Sequence, residues 1–156
     1  MEEEKTLLEQ VDRAISETMG TFDPDEQNRV SRKPFKITEF EQAHNKEMAV
    51  FTHAKKMSEY IFVVTAKSPV KLRWSIVSRL INASVDVIEN LYRANYERGE
   101  ERKKWQKEAM VSLNLLDFYT VSAKTQQAIN FHQMSFIGQQ IVEVKKLLHG
   151  WVKSGK

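Results

Sequence analysis

The sequence predicts an all-α fold: an antiparallel up-and-down four-helix bundle with an additional N-terminal helix and arm. Three observations carry this. Apolar residues recur in steps of three and four through most of the chain, which is the helical period. Only five Gly and three Pro stand in 156 residues, and most fall between the periodic segments. The segments run to about 20–30 residues and are joined by short turns, which makes consecutive helices antiparallel neighbours. The length suits one domain. Residues 45–153 read as the bundle, 1–44 as an acidic helix with a polar linker, and 154–156 as a tail.

Leu7, Leu8, Val11, Ala14, Ile15 and Met19 make a narrow apolar stripe, so the N-terminal helix is short, amphipathic and peripheral. Pro24 and Pro34 bracket the polar run Asp23-Pro24-Asp25-Glu26-Gln27-Asn28-Arg29, which marks residues 20–40 as a linker. The first bundle helix runs from about Asn45 to Ala66 on Met48, Phe51, Ala54, Met57, Ile61 and Val64. Ile61-Phe62-Val63-Val64-Thr65 has strand propensity, but the periodicity leading into it favours helix. Ser68-Pro69 opens the second helix, serine as a cap and proline pre-set for the first turn. It continues to about Arg98 with Arg73, Ile76, Val77, Leu80, Ala83, Val87, Ile88 and Leu91 near one side. Gly99 suits a left-handed terminator, with Arg93 and Arg98 near the negative helix end. Glu100-Glu101 suit the positive start of a third helix, which reaches about Lys124 on Trp105, Ala109, Leu113, Leu116, Thr120 and Ala123. Asn130 and Gln133 have capping-box spacing for the fourth. There Met134, Ile137, Ile141, Val144, Leu148 and Trp151 form a near-heptad seam, and His149-Gly150 ends the pattern. Gly138 sits mid-helix at a cost of about 1 kcal/mol relative to alanine, which points to a close helix approach.

Composition excludes several function classes. Cysteine is absent, so there is no disulfide framework, thiolate metal site or cysteine nucleophile. No apolar run approaches the roughly 20 residues that span a bilayer, and Met1-Glu2-Glu3-Glu4 does not resemble a secretory signal. A cytoplasmic, membrane-free protein is expected. The histidines are His44, His53, His132 and His149, with no Glu-x-x-His on an inward helix face and no His-Glu-x-x-His. Gly20, Gly99, Gly138, Gly150 and Gly155 are too scattered for a phosphate loop, and no serine has a Gly-x-Ser-x-Gly context. Asp86, Glu89, Asp117 and Glu143 are separated and read as surface. No enzyme activity, cofactor or metal is expected.

Charge is the informative signal. The net +3 conceals an asymmetry, because residues 1–27 hold nine acids and two bases while the remainder holds twenty-two bases and twelve acids. A basic body with an acidic arm points to a polyanionic partner. Ten cations fall between residues 67 and 107, against five acids: Lys67, Lys71, Arg73, Arg79, Arg93, Arg98, Arg102, Lys103, Lys104 and Lys107. Lys71, Arg79 and Arg93 share the polar side of the second helix with Ser75, Asn82, Asp86 and Glu89. Arg98 to Lys107 gather at the following turn, about 40 Å from Lys67 and Lys71 at 1.5 Å per residue. Such an arrangement is a stripe suited to a phosphate backbone rather than a compact pocket. The plain alternative is a solvated helix face, neutralised by Glu97, Glu100, Glu101 and Glu108. Trp105, Phe118, Tyr119 and Trp151 are stacking candidates whose helical spacing equally suits core positions. Met110, Leu115, Phe118, Val121, Phe136, Val142 and Leu147 lie outside the main seams, which suggests subunit association. The acidic arm, folded over the basic face, would compete with nucleic acid.

Two stretches carry a family resemblance: Lys67-Ser68-Pro69-Val70-Lys71-Leu72-Arg73-Trp74 leading through Ser78-Arg79-Leu80 to Val87-Ile88-Glu89-Asn90-Leu91-Tyr92-Arg93-Ala94-Asn95, and the terminus Leu147-Leu148-His149-Gly150-Trp151-Val152-Lys153-Ser154. Together they resemble the accessory variability determinant (Avd) proteins of diversity-generating retroelements. Related to these are the proteins encoded by intervening sequences in bacterial 23S ribosomal RNA genes. The resemblance covers about residues 45–153, and the acidic arm departs from it. It implies an up-and-down four-helix bundle assembled as a homo-oligomer, a pentamer, with a basic surface. It further implies a non-catalytic accessory that binds the element's reverse transcriptase and its template RNA, with DNA as a further polyanion. By position, Lys67, Lys71, Arg73, Arg79 and Arg93 carry over; Arg98, Arg102, Lys103, Lys104 and Lys107 rest on charge alone. The competing expectation is a protein–protein interaction bundle without nucleic-acid binding.

Overall fold

The computed structural model describes residues 2–19 and 48–156. The expected linker at 20–40, His44 and the expected start at Asn45 lie outside the described residues. Helices are α1 (Glu2–Met19), α2 (Ala49–Thr65), α3 (Ser78–Tyr96), α4 (Gly99–Thr125) and α5 (Phe131–Ser154), with a 3-10 turn over Val70–Leu72 and a π-helical turn over Arg73–Val77. Every regular element among the described residues is helical.

The strand-prone run Ile61–Thr65 is helix, because Ile61 and Val64 continue the buried stripe of Phe51, Ala54 and Met57. Neighbouring helices pack in a cycle, α2 on α3, α3 on α4, α4 on α5 and α5 back on α2, while α1 packs on α2. Ring contacts fix the register. Phe51, near the start of α2, meets Tyr92 near the end of α3 at 5.1 Å and Trp151 near the end of α5 at 6.1 Å. Tyr60 meets Phe136, near the start of α5, edge-on at 4.9 Å. The core these helices enclose holds Met57, Ile61, Leu80, Leu91, Leu113, Leu116, Ile137 and Leu148, all fully buried. Truncating one such leucine to alanine costs about 2–5 kcal/mol in cores of this kind.

Several local expectations hold. Asn130 Oδ1 accepts from the Gln133 amide at 2.8 Å, and Gln133 Oε1 accepts from the Asn130 amide at 3.0 Å, completing the capping box of α5. Gly99 adopts the left-handed φ of +60° that glycine tolerates, but as the first residue of α4 and not as the terminator of α3, which ends at Tyr96 with Glu97 extended at its cap.

Others are corrected. Ser68 does not cap a helix: it is 3 % exposed, and its hydroxyl donates to the Ala128 carbonyl at 2.6 Å. A buried hydroxyl takes the partner within reach, here a carbonyl of the α4–α5 turn. The second helix is not continuous from Pro69. Gly138 marks no close approach, since a Cβ there would meet nothing within 4 Å. His149-Gly150 does not end α5, which runs to Ser154 and terminates at Gly155 with φ +65°. Helix α1 lies on α2 outside the cycle, as its narrow stripe suggests, and inserts Val11, 1 % exposed, into the core. Lys56 of α2 pins α1, with Nζ 2.8 Å from Asp12 and 3.4 Å from Glu59. Burial alone would lower the Lys56 pKa, but the hydrogen bond to Asp12 and the fields of both carboxylates leave it above the ordinary lysine value.

Candidate nucleic-acid interface

The ten predicted cations divide between the two ends of α3. At the N-terminal end lie Lys67, Lys71, Arg73 and Arg79, all exposed. At the C-terminal end lie Arg93, Arg98, Lys103, Lys104 and Lys107, also exposed, and the half-buried Arg102. Asn82, Asp86 and Glu89 occupy the polar side between them, so the stripe is interrupted by two acids.

The C-terminal group is largely engaged by neighbouring groups, and Arg102 holds the turn. Arg93 Nε donates to Glu89 Oε1 at 3.1 Å one helical turn back, and its guanidinium lies 4.7 Å over the Trp105 ring. Arg102 Nε donates to the carbonyls of Ala94 at 3.0 Å and Glu97 at 2.8 Å, and its Nη2 reaches Asn95 at 3.4 Å. It thereby satisfies the carbonyls that the end of α3 leaves without partners. Lys103 Nζ lies 2.8 Å from Glu100, which raises the lysine and holds the Glu100 carboxyl below its ordinary range. Lys104 Nζ lies over the same Trp105 ring, 5.4 Å from its centroid. Lys107 acts on the Glu100 carboxylate through its field, and Arg98 has no carboxylate partner among the described residues.

The N-terminal group is held differently. In a continuous α-helix, Arg73 would fall in line with Ile76, Val77, Leu80, Val87 and Leu91, a charge on the buried stripe. The chain resolves this with the π-turn. Ser75 departs from helical geometry (φ −116°, ψ −106°), and the Ser78 amide bonds back to the Arg73 and Ser75 carbonyls. The wider turn leaves Arg73 exposed while Ile76 and Val77 stay buried and Leu72 packs against the core. Lys71, Arg73 and Arg79 have no carboxylate partner among the described residues. π-turns of this kind recur at functional sites.

Three features escaped the sequence. A cavity of about 460 Å³ opens at this same end, lined by Val64, Lys67, Lys124, Thr125, Asn130 and Gln133 among others. It adds Lys124 to the basic end, because the last turn of α4 returns beside the end of α2. Gln127 closes α4 with φ +63°, its amide on the Lys124 carbonyl and the Ala128 amide on the Ala123 carbonyl. This is the hydrogen-bond pattern of a Schellman ending with glutamine where glycine is usual. The third is Trp74, 92 % exposed between Arg73 and Ser75.

The stacking candidates change accordingly. Trp105 is half-buried with Arg93 and Lys104 over its ring, and Trp151 is 7 % exposed with Nε1 donating to the Lys156 carbonyl at 3.1 Å. Tyr119 is half-buried against Phe118, which stays 63 % exposed. Of the residues read as association surface, Leu115, Phe118, Val121 and Val142 are exposed, whereas Met110, Phe136 and Leu147 pack against the core. The described part of the acidic arm lies on α2 rather than over the basic ends of α3. Among the described residues no group of three metal-ligating side chains converges, and no helix is long and apolar enough to cross a membrane. The chain matches no protein-family model and no curated protein.

Proposed function

We propose that this chain is a non-catalytic, self-associating, antiparallel up-and-down four-helix bundle that binds RNA as an accessory to the reverse transcriptase of a diversity-generating retroelement. Duplex DNA is a second polyanion it would hold. The observation that carries nucleic-acid binding is the set of exposed cations Lys71, Arg73, Arg79 and Arg98 at the two ends of one helix, none with a carboxylate partner among the described residues. Phosphates spaced along a strand can engage both ends, and an electrostatic interface of this kind discriminates sequence weakly. The contacts of Phe51 with Tyr92 and Trp151 support the antiparallel arrangement. The retroelement context rests on the resemblance of residues 45–153, including the stretch around Lys67–Arg93.

Titrating fluorescent structured RNA and duplex DNA at about 50 and 200 mM salt tests the interface. Affinity is expected to fall at least tenfold between them; binding unchanged by salt, or no binding at the lower one, overturns it. The retroelement role predicts an adjacent reverse-transcriptase gene with a template–variable repeat pair, and co-purification with that enzyme.

A protein-interaction bundle without nucleic-acid binding is the second reading. It is favoured by Val111, Leu115 and Phe118, which are 52 %, 47 % and 63 % exposed and step by four and three along α4. Retained self-association with no RNA or DNA binding at low salt would select it.

A further inference from the structure

We propose that Trp74 is a stacking platform for an unpaired base, with the flanking phosphates of a single strand held by Lys71, Arg73 and Arg79. This rests on the nucleic-acid reading above and specifies the form of nucleic acid that the N-terminal end of α3 takes.

Trp74 is the most exposed large apolar side chain among the described residues, at 92 %. Tryptophan normally buries most of its area or anchors its indole nitrogen, and both other tryptophans here do so. Its exposure has a structural cause. The π-turn lets Ile76 and Val77 remain in the core while the segment before them, Arg73 to Ser75, stays outside. Within five residues in either direction stand three exposed cations without carboxylate partners among the described residues, Lys71, Arg73 and Arg79, and no acid lies between residues 67 and 85. An aromatic face flanked by cations is the arrangement that single strands use: the base stacks, and the cations hold the backbone on either side. Duplex offers no free base face. The charge and the ring together therefore fit an unpaired strand better than a duplex. They also fit it better than an acidic protein, for which the ring has no matching role.

The test compares the wild-type chain with Trp74→Ala, Trp74→Phe and the double variant Arg73→Glu/Arg79→Glu. The probes are a 12-nucleotide oligo(A) RNA and a 12-base-pair RNA duplex at low salt. Trp74→Ala is expected to weaken oligo(A) about tenfold and the duplex less than twofold, and Trp74→Phe to restore most of the loss. Intrinsic fluorescence of the wild type should quench on adding oligo(A), a signal absent in Trp74→Ala because the other two indoles are covered. The charge-reversed variant is expected to lose both probes. If Trp74→Ala binds both probes as the wild type does while the charge-reversed variant loses them, stacking is overturned and the nucleic-acid reading stands. If the wild type binds neither probe, both fall together. A drop in solution mass of Trp74→Ala, measured by light scattering, would assign the ring to subunit association and also overturn the platform.

Discussion

The two ends of α3 carry similar numbers of cations and differ in what those cations do. At the C-terminal end the cations have partners: Arg93 pairs with Glu89 within α3, Lys103 with Glu100 within α4, and Arg102 closes the turn on three backbone carbonyls. At the N-terminal end the chain departs from α-helical geometry, and Lys71, Arg73 and Arg79 are exposed with no carboxylate partner among the described residues. Net charge thus measures attraction at long range, whereas availability for phosphate is decided by what lies one helical turn away. Glutamates three and four residues from a cation engage it; the run from 67 to 85 contains none.

The sharpest way to break this comparison is to reverse charge at one end and then the other. Arg73→Glu with Arg79→Glu is expected to weaken RNA roughly a hundredfold at low salt and to lower the salt slope by about two. Its melting temperature should stay near wild type, because both side chains are exposed. Arg102→Ala is expected to do the opposite. It orphans carbonyls at the end of α3 and lifts the guanidinium from Trp151, costing about 1–3 kcal/mol of stability. RNA affinity measured below the melting point should change less than threefold. Urea denaturation and fluorescence titration of the two variants decide the matter. Equal binding losses would mean that the ends act alike.

The helices were legible in the sequence because their apolar period and the Asn130–Gln133 capping box are local signals that packing did not override. The π-turn was legible only as a conflict: a continuous helix sets Arg73 on the buried stripe, and that misfit was the one clue to the irregularity. Trp74 was hidden for the same reason, since its exposure depends on the break in helical geometry at Ser75 and not on spacing. The role of Arg102 was invisible to charge counting because its partners are carbonyls, which every residue carries. Lys124 joins the basic end through a chain reversal at 126–130, a tertiary fact with no signature at either lysine.

The two turns flanking α4 offer a smaller contrast. One places Gly99 at φ +60°, the other places Gln127 at φ +63°. A side chain with a Cβ costs roughly 1–2 kcal/mol in that conformation, and glycine avoids it while losing more chain entropy on folding. Gln127→Gly is therefore expected to stabilise the protein by about 0.5–1 kcal/mol in urea denaturation, while Gly99→Ala destabilises it by about 1 kcal/mol. Gln127 also lines the cavity near Lys67 and Lys124. Unchanged RNA binding by the glycine variant would show that this amide is no part of the open end's contacts.

The smallest effect belongs to Glu100 and Lys103, both exposed. The hydrogen bond from Lys103, with its field, lowers the Glu100 pKa, and Lys107 adds to the shift. A carboxylate lowered on folding contributes stability above its unfolded-state value and loses it as the pH falls through the folded one. The contribution is therefore present at neutral pH and gone in acid. In solvent it is screened by salt and offset by the entropy of holding two long side chains together. Lys103→Ala should leave the melting temperature within error of wild type at pH 7 in 0.15 M salt. Any difference seen at low ionic strength should vanish in acid, once the pH has fallen through the lowered pKa of the Glu100 carboxyl. A large loss at pH 7 would mean that Lys103 holds the turn as Arg102 does, and the C-terminal end would then depend on two cations rather than one.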